Sequence, residues 1–380
     1  MEKISKKIIS LITSSTCNYI KAGLCVVFPD MSVKLIRGIN YSYPEHIKSK
    51  ILSLFNQTVS LKDICQLNFV IGKCYANAAN ILIEEFGKPD IISSQGLTIY
   101  NYPYDDSLDN ISLKSIFNIG ESSIIAKETG CQVISNYSET DIAYGGQGSP
   151  LESFADEKWF KTKFKKNDKY QNFAIQNIGG FSNVTTVSND YDTFGFSNGP
   201  GTLILDYCTQ KFFKQLFDIN GEIASQGNIC ESWLDCLLQD EYYYLDPPKT
   251  IGREYFSNKY IENILKIAPS EPKDIITTLT ALIAKSITQS YERFIYPNVN
   301  IDTVILGGGG VYNKTLQKLI RQYLPKYIDL KTLEDYGISN NFKDIMSFAL
   351  LGYCNYYGIT NNLPNCTGAE KRVILGKITC

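Results

Sequence analysis

Histidine is nearly missing: His46 is the one imidazole in 380 residues, and it sits in a polar stretch after Pro44. A histidine-based triad would have to use it, so that chemistry is set aside. The eleven cysteines include no C-x-x-C and keep no regular spacing. That pattern excludes a disulfide framework, speaks against zinc and fits a reducing cytoplasm. Long apolar runs are lacking as well. Ile8 to Ile12, behind Lys3, Lys6 and Lys7, is too short for a signal-peptide core, and no later run could span a bilayer. The protein is therefore expected to stay in the cytoplasm with no membrane partner. Strong charge of either sign is also absent: the net charge is −2 and the pI is near 5.7. Nothing here attracts nucleic acid, and small molecules are the expected partners.

What is present is a globular composition, 44% hydrophobic and 20% charged, in a chain long enough for two domains. Ile8 to Ile12, Gly23 to Phe28 and Ser32 to Gly38 read as three strands of an antiparallel meander. Leu61 to Phe86 carries apolar residues at helical spacing, ended by Gly87-Lys-Pro89. Ile91-Ile92 opens a strand, and after Ser93-Ser-Gln-Gly-Leu-Thr98 come a loop to Asp109, a helix from Ser122 to Thr129 and a strand from Cys131 to Ser135. Residues 158–170 are charged and lack apolar periodicity, as a solvated connection would. The opening pattern then recurs: Phe173 to Ile178, Val184 to Val187 and Tyr191 to Phe196 form a second meander, with helices and a strand at Thr303 to Leu306 behind it. Strands alternating with helices indicate α/β architecture.

Three glycine-rich turns stand out. Phe194-Gly-Phe-Ser-Asn-Gly-Pro-Gly-Thr202 leads from a strand into a helical pattern. Its Gly199 and Gly201 can turn bare N–H groups toward a phosphate at the start of that helix. A plain strand-to-helix turn accounts for the stretch equally well when it is taken alone. Tyr144-Gly-Gly-Gln-Gly-Ser-Pro150 is the second turn. The third, Val304-Ile-Leu-Gly-Gly-Gly-Gly-Val-Tyr-Asn313, lies between an apolar strand and a helix, and its glycines suit the close approach of adenine or ribose.

With these turns in two α/β halves, the chain resembles the actin-like sugar kinase superfamily, and within it the anhydro-N-acetylmuramic acid kinases, from about Ile8 to Ile378. The stretches that carry the resemblance are Asp141-Ile-Ala-Tyr-Gly-Gly-Gln-Gly-Ser-Pro150, Asn177-Ile-Gly-Gly-Phe-Ser-Asn183, Pro248-Lys-Thr-Ile-Gly-Arg-Glu-Tyr-Phe256, Gly308-Gly-Gly-Val-Tyr-Asn313, Gly337-Ile-Ser339 and Asn362-Leu-Pro-Asn-Cys-Thr-Gly-Ala369. The resemblance implies two actin-like, ribonuclease H-like domains facing a nucleotide cleft. These would be residues 1–140 with 342–380 and residues 165–341, with 141–164 as a connecting glycine-rich loop and helix. It further implies ATP and Mg²⁺, opening of the 1,6-anhydro bridge of the muropeptide sugar with phosphorylation of its O6, and a homodimer. Ser14, Thr16, Asn18, Gly199, Gly201, Asp206, Gly308, Gly309, Gly310 and Asn313 fall at cofactor positions, and Thr98 and Glu128 at sugar positions. No metal ligands are assigned.

The departures from the family pattern are specific. Where the family loop reads D-T-G-P-G-N, with the Asp as the base that activates water, this chain has Ser197, whose hydroxyl is neutral at any working pH. In the first loop a glycine is Ser14 and two acids are Asn18 and Lys21. A sugar-binding arginine aligns with Glu128, and the family histidine after H-G-Q-T aligns with Asn101. Asp141 and Asp344 are the remaining acidic candidates, each equally readable as a turn or cap carboxylate. Two readings follow: a sugar kinase with an altered base or sugar, and a degenerate homologue that binds or regulates without turnover.

Overall fold

The computed structural model describes residues 3–55, 58–108, 111–163 and 171–380. Its contacts divide the chain into two units, Met1–Trp159 with Phe342–Cys380, and Phe160–Asn341. Residues 141–159 thus group with the first unit.

The first unit is built on strands β1 (Lys6–Thr13), β2 (Tyr19–Val27), β3 (Val33–Ser42), β4 (Ile91–Leu108), β5 (Ile111–Ile119), β6 (Val133–Ser135) and β12 (Lys377–Thr379). They run in the order β12-β6-β4-β1-β2-β3, with β5 paired to β4. β1 pairs antiparallel with β2, Ser10 opposite Gly23, and parallel with β4, Ile8 opposite Ile91. Its helices are α1 (Glu45–Ser53), α2 (Leu61–Phe86), α3 (Ser122–Thr129), α4 (Tyr137–Ala143), α5 (Ser153–Lys163), α11 (Lys343–Tyr356) and α12 (Pro364–Thr367).

β1 reads as a continuous apolar run because both of its faces are covered. Ile9 and Leu11 join Ile71, Tyr75, Ala78 and Leu82 of α2 in one core. The other face uses small residues to admit α11: a Cβ on Gly23 would lie 2.5 Å from Ile345, and one on Gly352 only 3.0 Å from Ser93. α2 is a single 26-residue helix, capped by Ser60, whose hydroxyl accepts the Asp63 N–H, and ended at Gly87.

The second unit repeats the plan with β7 (Phe173–Ile178), β8 (Phe181–Val187), β9 (Phe194–Pro200), β10 (Thr303–Gly307) and β11 (Asp329–Thr332), in the order β11-β10-β7-β8-β9. Its helices are α6 (Thr202–Phe213), α7 (Glu231–Leu237), α8 (Asn258–Leu265), α9 (Pro272–Ser290) and α10 (Lys314–Tyr323). α9 is buried almost all round, and its threonines survive there because Thr277, Thr278 and Thr280 return their hydroxyls to the carbonyls four residues back. In both units an antiparallel meander of three strands is followed by two strands parallel to the first. That is the ribonuclease H-like order of an actin-like domain.

Two expectations from the sequence are corrected. Residues 99–108 continue β4 and pair with β5 as a hairpin, not a loop, and Asp109 lies outside the described residues. Residues 158–163 finish helix α5, and only 164–170 lie outside the described residues. Among the described residues no helix is long and apolar enough to cross a membrane.

Candidate functional site

In the second unit, β9 carries Ser197 to the turn before α6. Ser197 is 3% exposed. Its N–H donates to the Lys249 carbonyl at 2.8 Å and its carbonyl accepts the Tyr242 hydroxyl at 2.9 Å. The Oγ lies 3.5 Å from Thr250 Oγ1, so the group beside it is a second neutral hydroxyl. Asn198 is committed to the core: Gln176 Nε2 donates to its Oδ1 at 2.8 Å, its Nδ2 donates to Ser290 Oγ at 2.7 Å, and the Tyr291 hydroxyl closes the chain on Gln176 Oε1. A buried network satisfied in this way fixes β7 and β9 against α9.

Lys249 is a residue that sequence reasoning left without a role, although it sits in the Pro248-to-Phe256 stretch. It is 3% exposed, and its ammonium donates to the Tyr242 carbonyl at 3.0 Å and lies 4.6 Å from the Phe294 ring centre. Burial pulls its pKa down to about 8, with Arg293 adding to the fall and Asp246 opposing it. Through Tyr242 it braces the backbone on both sides of position 197.

The glycines separate into those the fold itself requires and one that it does not. Gly199 has φ +150°, and its Cβ would meet the Tyr243 ring at 2.8 Å; a Cβ on Gly201 would lie 2.2 Å from the Gly179 carbonyl oxygen. Gly308, at φ +81°, and Gly310 would each press a Cβ into Ile178. Packing explains all four. Gly309 is different: a Cβ there would meet nothing within 4 Å, and its φ lies outside the left-handed region. The fold has no need of glycine at 309. Asn313 is spent as the cap of α10, its Oδ1 accepting the Leu316 N–H at 2.9 Å.

Asp206 lies one turn into α6, where its side chain points back toward Thr202. Burial pushes its carboxyl up to about 7, against the hydrogen bond from Thr202 and the charge of Arg253.

In the first unit, the β1–β2 turn closes on itself. Asn18 Nδ2 donates to Thr16 Oγ1 at 3.0 Å, Ser14 Oγ lies 3.3 Å from Thr16 Oγ1, and the Tyr19 N–H reaches Ser14 Oγ at 3.4 Å. Lys21, on β2, and Asp344, in the first turn of α11, form an ion pair of 2.8 Å across 323 residues of sequence. Asp344 uses both oxygens, since Oδ1 also accepts the Ile345 N–H at 2.9 Å. Asp141 does the same. Its Oδ1 accepts the Thr367 hydroxyl at 2.8 Å and its Oδ2 the Gly148 N–H at 2.9 Å, with the side chain fully buried. Burial raises its pKa, while those hydrogen bonds and Asn362 pull against the rise. The glycine-rich loop wraps this carboxylate so closely that a Cβ on Gly146 would lie 2.0 Å from Oδ2. This geometry gives Asp141 and Asp344 structural work.

Thr98 donates to Asn118 Oδ1 at 2.5 Å across the β4–β5 hairpin. Beside this pair the buried Asn118 Nδ2 finds no partner, and Gln95, which donates to Ser138 Oγ, leaves its Oε1 unpaired. Glu128 is on the outer side of α3, paired with Lys127 at 2.8 Å.

The chain matches the family model described as anhydro-N-acetylmuramic acid kinase over residues 9–380. The anhydro-N-acetylmuramic acid kinase of Caldanaerobacter subterraneus subsp. tengcongensis is 35% identical to it, over 99% of this chain and 98% of that protein. The protein of the same name from Bacillus cereus is 38% identical, over 92% of each. Among solved structures, component A of (R)-2-hydroxyglutaryl-CoA dehydratase from Acidaminococcus fermentans is 10% identical with a TM-score of 0.43, over 92% of this chain and 98% of that one. With a family model matched almost end to end and relatives above one third identity over nearly their whole length, this chain belongs to the anhydro-N-acetylmuramic acid kinase family.

Proposed function

We propose that the protein is a cytoplasmic, ATP-dependent kinase of a 1,6-anhydro amino sugar in cell-wall muropeptide recycling. The observation that carries this is the match to proteins named anhydro-N-acetylmuramic acid kinase over 99% of the chain. In the reaction a water oxygen bonds to the anomeric carbon as the bond from that carbon to O6 breaks. O6 takes the γ-phosphoryl group of ATP, ADP leaves, and the proton of the water passes to a base.

The chain's own residues can supply part of this. The bare backbone at Gly309, between β10 and α10, fits the flat part of a nucleotide. The unpaired Asn118 Nδ2 and Gln95 Oε1 suit the hydroxyl and amide groups of a sugar. Asp206, whose carboxyl burial pushes up to about 7, is the proposed proton acceptor, since Ser197 is a neutral hydroxyl and the oxygens of Asp141 and Asp344 are taken by hydrogen bonds and an ion pair. A magnesium ion carried by a nucleotide needs only one or two protein carboxylates beside the phosphates and water; at the Lys21–Asp344 pair both oxygens of Asp344 are taken. A homodimer is proposed on the family resemblance.

Ser197 favours a second reading, a homologue that binds its ligands without turnover. Single-turnover incubation of excess protein with Mg·ATP and 1,6-anhydro-N-acetylmuramic acid, followed by mass, decides between them. Sugar phosphate formed in proportion to protein is the expected result. Bound ATP with no product would overturn the kinase and leave the binding protein.

A further inference from the structure

Helix α9 does not end in an ordinary turn. Tyr291–Ile295 form a π turn, closed by the Tyr296 N–H on the Tyr291 carbonyl at 2.8 Å, and π turns recur where a chain aims side chains at a ligand. The side chains aimed here are Glu292 and Arg293, both exposed at a cleft of about 570 Å³ within the second unit. Asp235, Leu238 and Gln239 at the end of α7, Tyr244 after them and Gln289 of α9 complete its lining. A volume of this size falls in the range of sites that enclose drug-sized ligands.

Arg293 is the fixed point of the cleft. Its guanidinium carbon stands 4.2 Å from the Tyr244 ring centre, and Nη1 donates to the Tyr243 carbonyl at 2.8 Å. Stacking and one hydrogen bond hold the plane and leave the rest of the fork open. Among the described residues no carboxylate lies within ion-pair distance of Arg293, although Asp235 and Glu292 line the same cleft. A simple anion would be repelled by the two acids, and a simple cation by the arginine. An open fork and two open carboxylates are the complement of a ligand that carries both charges. We propose that this cleft binds a short peptide with both termini free. Arg293 takes the terminal carboxylate, Asp235 and Glu292 the terminal ammonium, and the amides of Gln239 and Gln289 the peptide groups between, with Leu238 against an apolar side chain. The proposal does not depend on the kinase reading, since no residue of the cleft is among those assigned to nucleotide or sugar.

Calorimetric titration of the full chain with trialanine at neutral pH, beside N-acetyl-trialanine and trialanine amide, tests this. Saturable binding of trialanine is expected below about 10 mM, with each capped peptide weaker by about tenfold or more. Arg293→Gln is expected to bring trialanine and its amide to the same affinity. Asp235→Asn combined with Glu292→Gln should do so for trialanine and the acetylated peptide, because each change removes the partner of one terminus. No saturable binding of trialanine overturns the proposal, and so do capped peptides that bind as well as the free one. A folded Arg293→Gln protein, checked by its melting curve, that still tells the acid from the amide overturns it too. The comparison of peptides needs no variant, so it decides even where loss of the Tyr243 contact unfolds Arg293→Gln.

Discussion

A carboxylate acts as a base only while one of its lone pairs faces the reacting proton. Asp141 has no exposed surface, and both of its oxygens accept hydrogen bonds from the loop and helix that enclose it. Asp141→Asn replaces one acceptor with an amide that faces the Gly148 N–H or the Thr367 hydroxyl, leaving a buried donor unpaired. The expected cost is about 1–3 kcal/mol, read as a fall of several degrees in Tm. A variant with unchanged Tm and abolished turnover would return Asp141 to the chemistry. Asp206 makes the opposite kind of statement. Its folded pKa of about 7 lies above that of the unfolded chain. Its contribution to stability is therefore full below about pH 4 and is lost as pH rises toward 7. Asp206→Asn cannot ionise, so relative to wild type it should gain about 2 kcal/mol between pH 5 and pH 8. Parallel melting curves at the two pH values check this, and equal pH dependence in both proteins would contradict it. Neither burial nor these partners is visible in the local sequence: Thr367 lies 226 residues from Asp141, as Asp344 lies 323 from Lys21.

Among the elements, the meanders were legible because their apolar runs are flanked by turn residues, and α2 because its apolar residues keep helical spacing from Leu67 to Leu82. The β4–β5 hairpin was not. Its strands carry Ser, Asn and Tyr in place of an apolar alternation, and they are held by the ladder and by pairs such as Thr98 with Asn118. The charged stretch of α5 misled for a related reason. Residues 158–163 read as part of a solvated connection, yet they finish a helix whose Asp156 and Glu157 are buried, Asp156 in an ion pair with Lys343, 187 residues away. The glycine turns were visible as motifs, but their causes were not. Five of the six glycines at the two turns leading into α6 and α10 answer to packing, Gly307 against Leu333 among them, and Gly309 alone is free of it. Two substitutions separate the causes. Gly309→Ala should leave stability unchanged or raise it by about 0.5 kcal/mol while weakening nucleotide binding about tenfold, by filling the bare face. Gly201→Ala should lower stability by about 2 kcal/mol or more, because a Cβ cannot share space with the Gly179 carbonyl. Equal effects of the two on binding and melting would remove the distinction.

At the scale of the molecule, each unit carries its own core. One gathers Ile9, Leu24, Ile71, Tyr75 and Ile92, and the other Phe196, Leu205, Trp233, Leu279 and Val304. Two units with separate cores can lose their structure at different denaturant concentrations, and the chain contains the means to see it. Its two tryptophans are divided between them: Trp159 is buried at the end of the first unit, and Trp233 is buried in the core of the second. Trp159→Phe leaves fluorescence reporting on the second unit, and Trp233→Phe leaves it reporting on the first. Their urea midpoints are expected to differ in an otherwise identical buffer. Adding Gly201→Ala to each should move the Trp233 signal to lower urea and leave the Trp159 signal in place, because residue 201 packs wholly within the second unit. Coincident midpoints that shift together would mean that the two cores unfold as one cooperative body, and stability changes at Gly201 would then have to be read against the whole chain.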